Sequence, residues 1–270
     1  MATEEQQQAL QVAEQFDHMS AAFGEDPWAT MGQLREHCPV ARSDANGGFW
    51  VVSGFAEVCE VARDDTTWAS DQGILIGGLG PIRHIPIEVD PPDFFKYRRL
   101  LNPLFAPDAI NRREDEIRRL ATSLIDDFIE AGKCDIHRAL AMPLPAIMTY
   151  RLLGLPDQQA VEFVQTFEAS TSIAEPGDDS AGLLAHFGLV METITARRAE
   201  PRDDIISYLV HSEIEGRTLT DEELLGFIAL ILAGGLLTTT DAIGNALVRL
   251  QEQRDDRRRL VADRSLIPNA

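Results

Sequence analysis

The chain has 270 residues, 44% hydrophobic and 25% charged, an ordinary globular composition long enough for a sizeable core. Its net charge of −20 disfavours nucleic acid and anionic membranes as partners. The opening MATEEQQQALQVAEQF lacks the basic and apolar regions of a secretory signal, and three scattered cysteines (Cys38, Cys59, Cys134) fit reduced thiols in a cytoplasmic protein.

Residues 1–25 read as an N-terminal arm, weakly ordered or a short helix, and residues 26–270 as one domain. Asp26-Pro27 opens a helix to about residue 36, with proline suited to the first turn. Phe49 to Val52 reads as a strand, with residues 40–42 as its hairpin partner. A short helix over 55–63 places Cys59 in its packed face. The stretch DQGILIGGLGPIRHIPI (71–87) is too rich in Gly and Pro for a regular element. Its apolar Ile74, Leu75, Ile76, Leu79 and Ile85 predict a loop that buries something, so a binding loop.

Asp90-Pro91-Pro92-Asp93 starts the next helix, running to about 104, with Phe94, Arg98 and Leu101 on one face by i, i+4, i+7 spacing. A buried arginine there requires an anionic partner, either a protein carboxylate or a ligand carboxylate. Residues 96–119 hold seven basic residues against four acidic ones. That is a solvated helix face or a docking patch for an acidic partner. Helices follow over 111–131, 144–153, 157–172, 180–199 and 205–213, with a linker or strand at 134–137 and a turn at 175–179. Glu116 and Arg119 read as an exposed ion pair.

The stretch 220–252 organises the rest. Thr220 with Glu223 three residues later predicts a capped helix start. The apolar run 224–237 is 14 residues, short of the ~20 that a membrane span needs. Gly234-Gly235 and Thr238-Thr239-Thr240 interrupt it, and each interior Gly costs ~1 kcal/mol against Ala. The glycines serve either a helix–helix crossing or a flat ligand lying close to the backbone.

Four stretches together, LILAGGLLTTTDAIGN, DPPDFFKYRRLLNPLF, LPLPAIMTYRLLGLP and PRDDIISYLV, resemble landmarks of the soluble bacterial cytochromes P-450, in that family's order. The resemblance covers the chain from Asp26. It implies a mainly α fold with a small β element near the N-terminus, heme b (iron protoporphyrin IX) as cofactor, and oxidoreductase chemistry. The implied activity is monooxygenation of an apolar small molecule with O2, with electrons from a ferredoxin and ferredoxin reductase. By the same resemblance Arg98 matches the arginine that pairs with a heme propionate, and bidentate guanidinium–carboxylate bonding suits that role. Phe94 stands where a histidine often contacts the propionate. Gly234 and Gly235 match the small residues facing heme and dioxygen. Thr238 matches the threonine that contacts oxygen and orders water. The loop with Ile74, Leu75, Ile76, Leu79 and Ile85 matches the substrate-contacting loop.

The departures carry expectations too. Leu237 replaces the acid that passes protons beside the threonine. The family's E-x-x-R helix and cysteine loop are not in these 270 residues, so the chain reads as the N-terminal two-thirds of a longer protein without its iron ligand. None of Cys38, Cys59 and Cys134 has suitable surroundings. His84 reads as a surface residue. The alternatives are a catalytically silent heme-fold protein and a magnesium-dependent helical enzyme using Asp178-Asp179 and Asp203-Asp204, although neither pair has a second carboxylate at i+4 and Asp203-Asp204 is better placed as a helix-start cap.

Overall fold

Side-chain caps and prolines set the first helices. The computed structural model describes residues 13–76, 82–171 and 180–269. Ser20 caps α1 (Ala21–Glu25), and Asp26 caps α2 (Pro27–His37) by accepting from the Ala29 N–H at 2.9 Å. Strands β1 (Val40–Ser43) and β2 (Phe49–Val52) form an antiparallel hairpin with Ala41 opposite Val51. Helix α3 (Phe55–Val61) follows, with Cys59 half-buried. Residues 13–25 join this unit: Ala13 and Phe16 pack in its core with Leu34, Ala41 and Val51. The Ser43 hydroxyl also donates to the Phe16 carbonyl at 2.6 Å.

The chain divides into two compact units, one reaching Lys96 and the other starting at Tyr97. The boundary falls inside α4, which spans Asp93–Leu101 and is shorter than the sequence reading at both ends. Helices α5 (Pro107–Asn111) and α6 (Glu114–Ile129) follow. The expected linker or strand at 134–137 is instead the approach to a π-helical turn, His137–Ala141. Helix α7 (Pro143–Leu153) ends at Gly154, whose φ of 80° makes it a left-handed C-cap. Next come α8 (Ala160–Thr171), α9 (Ser180–Ala199) and α10 (Ile205–Val210). A second hairpin, β3 (Glu213–Ile214) with β4 (Arg217–Thr218), lies where the sequence signalled only the end of a helix. The turn expected at 175–179 lies outside the described residues.

Helix α11 (Asp221–Gly235) is the axis of the second unit. Its capping box forms as the sequence predicts, Thr220 and Glu223 each accepting from the other's backbone N–H. Leu224, Phe227, Ile228, Ile231 and Leu232 are buried, the i, i+3, i+4, i+7, i+8 pattern of a helix with one face in the core. They pack toward α7, α9 and α10. Full burial of each contributes ~1.5–3 kcal/mol. The flaw read from sequence is a real break. Leu236 has φ −94° and ψ −83°, and α12 (Leu237–Glu252) starts afresh beyond it. The charged segment that follows is a helix, α13 (Arg254–Ala262). The stretch Asp221–Glu252 is long and apolar enough to cross a membrane by length and composition, yet half of its most apolar window is buried inside the protein.

Candidate active-site cavity

Helices α4 and α11 supply two walls of a cavity in the second unit, with a volume of about 350 Å³. Arg98 and Leu101 come from α4, Asn102 and Phe105 from the segment after it, and Thr149 and Leu152 from α7. Leu230, Ile231, Gly234 and Gly235 come from the last turns of α11. The volume falls within the ~300–1,000 Å³ of small-molecule sites, and the mix of apolar walls with a few polar groups is typical of them.

The structure brings together three of the residues singled out from sequence: Arg98, Gly234 and Gly235. Arg98 is not buried, contrary to expectation. It is exposed and has no carboxylate partner among the described residues, so its charge is open to an anion in the cavity. Phe94 lies one turn earlier, edge-on to Phe95 at 5.3 Å, and is not among the lining residues. Thr238 is exposed in the first turn of α12, its hydroxyl donating to the Gly234 carbonyl at 2.7 Å. Leu237 beside it is half-buried.

The two glycines have different reasons. A Cβ on Gly235 would sit 2.7 Å from Thr149 Oγ1, so this glycine admits the close crossing of α7. A Cβ on Gly234 would meet nothing within 4 Å. Packing therefore explains Gly235 and leaves Gly234 to the cavity. Gly235→Ala is expected to cost about 1–2 kcal/mol by overpacking against Thr149. Gly234→Ala should stabilise the chain by up to ~1 kcal/mol through helix propensity. Chemical denaturation of both variants checks this, and a matching loss at the two positions would remove the distinction.

The predicted binding loop is only partly buried. Ile85 is 6% exposed, but Ile74, Leu75 and Ile76 are exposed, so they do not bury themselves against the protein as expected. Leu79 lies outside the described residues. His84 is not a surface residue: it is buried beside Glu88, with Nδ1 3.4 Å from Oε2, and its backbone N–H donates to the same oxygen at 2.6 Å. Nothing in the loop's composition signalled that pair. Glu116 does not pair with Arg119. It receives Arg113, three residues earlier, at 3.3 Å and Arg151 at 3.4 Å, the second a partner that only the fold brings near. Asp204 is committed to Arg197, at 2.6 Å, and to capping α10, which removes it as a magnesium ligand. Asp178-Asp179 lies outside the described residues, and among those described no cluster of three metal-ligating side chains occurs.

The groups present suit one edge and one face of a flat, carboxylate-bearing macrocycle. Arg98 supplies an uncommitted guanidinium, Gly234 a backbone surface without a side chain, and Leu101, Phe105, Leu230 and Ile231 apolar contact. No lining residue is a cysteine, and Cys134 is exposed away from the cavity. The cavity thus holds groups for a porphyrin's periphery and none for axial ligation of its iron.

No family model matches the chain. Individual proteins do. An erythromycin C-12 hydroxylase of Saccharopolyspora erythraea is 34% identical over 230 residues, covering 82% of this chain and 57% of the relative. A steroid C26-monooxygenase of Mycobacterium tuberculosis is 33% identical over 244 residues, covering 88% of this chain and 64% of the relative. Among solved structures, a cytochrome P-450 of Chondromyces apiculatus superposes with a TM-score of 0.77 at 29% identity, covering 95% of this chain and 66% of the other. The bacillaene polyketide synthase cytochrome P-450 of Bacillus subtilis gives a TM-score of 0.81 at 25% identity, covering 93% and 66%. The chain thus spans about three-fifths of the length of the curated relatives it matches. With the fold, the order of the motifs and these relatives in agreement, the chain belongs to the cytochrome P-450 family.

Proposed function

We propose that this chain forms the oxygen-side half of a heme b site in a cytoplasmic monooxygenase. The activity would hydroxylate an apolar small molecule with O2 and electrons from a ferredoxin-type partner. The observation that carries the reading is the cavity itself, where Arg98 stands without a carboxylate partner among the described residues, opposite the bare Gly234 turn of α11. Relatives named for erythromycin and for steroids favour a substrate of polyketide, terpene or steroid size.

Bound heme would supply reductive activation of O2. The chain's own residues have narrower tasks. Arg98 would hold a propionate through charge-assisted hydrogen bonds. Gly234 keeps the α11 backbone open to the cavity, and Gly235 lets α7 cross closely behind it. Thr238 Oγ1 gives its proton to the Gly234 carbonyl, so its free lone pairs can accept from water and hold it in place. Leu237 can carry no proton, so proton delivery beside Thr238 would depend on ordered water alone.

Titrating the chain with hemin should give saturable one-to-one binding, weakened about tenfold in Arg98→Ala, equal to ~1.4 kcal/mol. Binding that does not saturate would sink the heme reading. Leu237, where the family's proton-passing acid would stand, favours a second reading, a heme-fold chain that is catalytically silent. Hemin binding without any O2-dependent product from reduced ferredoxin would decide for it.

A further inference from the structure

Arg98 has no side-chain partner among the described residues to fix its direction, so its aim is set by the backbone of α4. That backbone is fixed one residue earlier. Tyr97 donates its hydroxyl to Glu223 Oε1 at 2.6 Å, and its ring meets Phe227 edge-on with centroids 5.8 Å apart. Glu223 in turn cannot swing. Arg217 forks onto it, Nη2 to Oε1 at 2.7 Å and Nη1 to Oε2 at 2.8 Å, and the Thr220 N–H donates to Oε2 at 2.7 Å. The Arg217 guanidinium holds the Glu223 carboxyl down to about 2, so the anchor stays ionised at any working pH.

The anchor sits in the first turn of the helix whose last turn walls the cavity. Glu223 and Gly234 are eleven residues apart on α11, roughly 16 Å along its axis. Tyr97 therefore ties α4 to one end of α11, and Arg98 reaches the cavity near the other. We propose that Tyr97, held by Glu223, is a positioning residue that sets the aim of Arg98 toward a carboxylate-bearing ligand in the cavity. The inference rests on the porphyrin reading above.

The test separates the two. Metal-free protoporphyrin IX and its dimethyl ester differ only in the charge of two carboxyls, and fluorescence reports the binding of each to the full chain. Arg98→Ala should weaken the diacid about tenfold and leave the diester unchanged. Tyr97→Phe keeps the ring on Phe227 and removes the hydroxyl. It should weaken the diacid about fivefold, roughly 1 kcal/mol, with the diester unchanged and no further loss when combined with Arg98→Ala. If Tyr97→Phe fails to fold, Glu223→Leu, which removes the acceptor of the Tyr97 hydroxyl, should give the same diacid-specific loss. A discriminating Arg98→Ala beside a Tyr97→Phe that weakens both ligands equally, or neither, overturns the inference alone. If Arg98→Ala does not discriminate, the porphyrin reading falls and the inference with it.

Discussion

Replacing Asp204 with Ala should destabilise the protein by about 3–5 kcal/mol, the usual cost of stripping one partner from a buried ion pair. Arg197 and Asp204 have side chains only 8% and 4% exposed, and their Nε–Oδ2 contact is 2.6 Å. The pair is also fully used. Asp204 accepts from the Ser207 N–H at 2.7 Å as the N-cap of α10, and Arg197 Nη2 donates to the Gly154 carbonyl at 3.1 Å. Alanine would leave a guanidinium in the core and the Ser207 N–H of α10 without its cap. The junction has no slack, since a Cβ on Gly154 would run into the Asp204 carboxylate, and Gly154 has φ +80°. Urea unfolding of Asp204→Ala reads the loss. The double variant Arg197→Met with Asp204→Ser, which keeps a cap and buries no charge, should recover much of it. A single variant costing under ~1 kcal/mol would show that solvent reaches the pair.

That junction also shows what a sequence can carry. The capping role of Asp204 was legible, because aspartate ahead of an apolar run has a local mechanism. Its bond to Arg197 was not, because a contact between side chains seven positions apart across a helix end depends on how α9, α10 and the Gly154 turn meet. The same division runs through the cavity. Thr220 and Glu223 announced the start of α11, and Gly234-Gly235 with the threonines announced its break. Which glycine answered to packing required the position of Thr149. Arg98 was placed on the right helix but judged buried, since spacing gives a face and not its solvent exposure. The basic run around it was legible as charge, whereas the Glu116–Arg151 contact beside it, between residues 35 positions apart, was not. Tyr97 carried no signal at all: one tyrosine between Lys96 and Arg98 in a basic run has no evident task until Glu223 appears opposite its hydroxyl.

Acidification should weaken the protein before any carboxylate titrates, and His186 should account for a measurable part. Its ring is 7% exposed, stacked on Phe163 with centroids 3.8 Å apart and planes 23° apart, and bonded to the Tyr150 hydroxyl at 3.0 Å. Burial pushes His186 down to about 4 and Tyr150 upward, Tyr150 with help from Glu162. Glu162 and Glu192 line the groove beside the ring, yet desolvation by burial sets the direction of its shift. The folded pKa is depressed below the unfolded value of 6.5, so the neutral ring contributes its full stability above pH ~6.5. That stability is lost as pH falls toward 4, because the unfolded chain takes up the proton first. Between pH 7.5 and pH 5 the loss from this one residue should be about 2 kcal/mol. Denaturant midpoints at the two pH values measure it in the wild type, and His186→Gln should flatten the difference by that amount. The other histidines are common to both proteins and cancel in the subtraction. Identical pH slopes in wild type and His186→Gln would mean that the ring is solvated in the folded state, and that the Tyr150–His186–Phe163 stack opens at neutral pH.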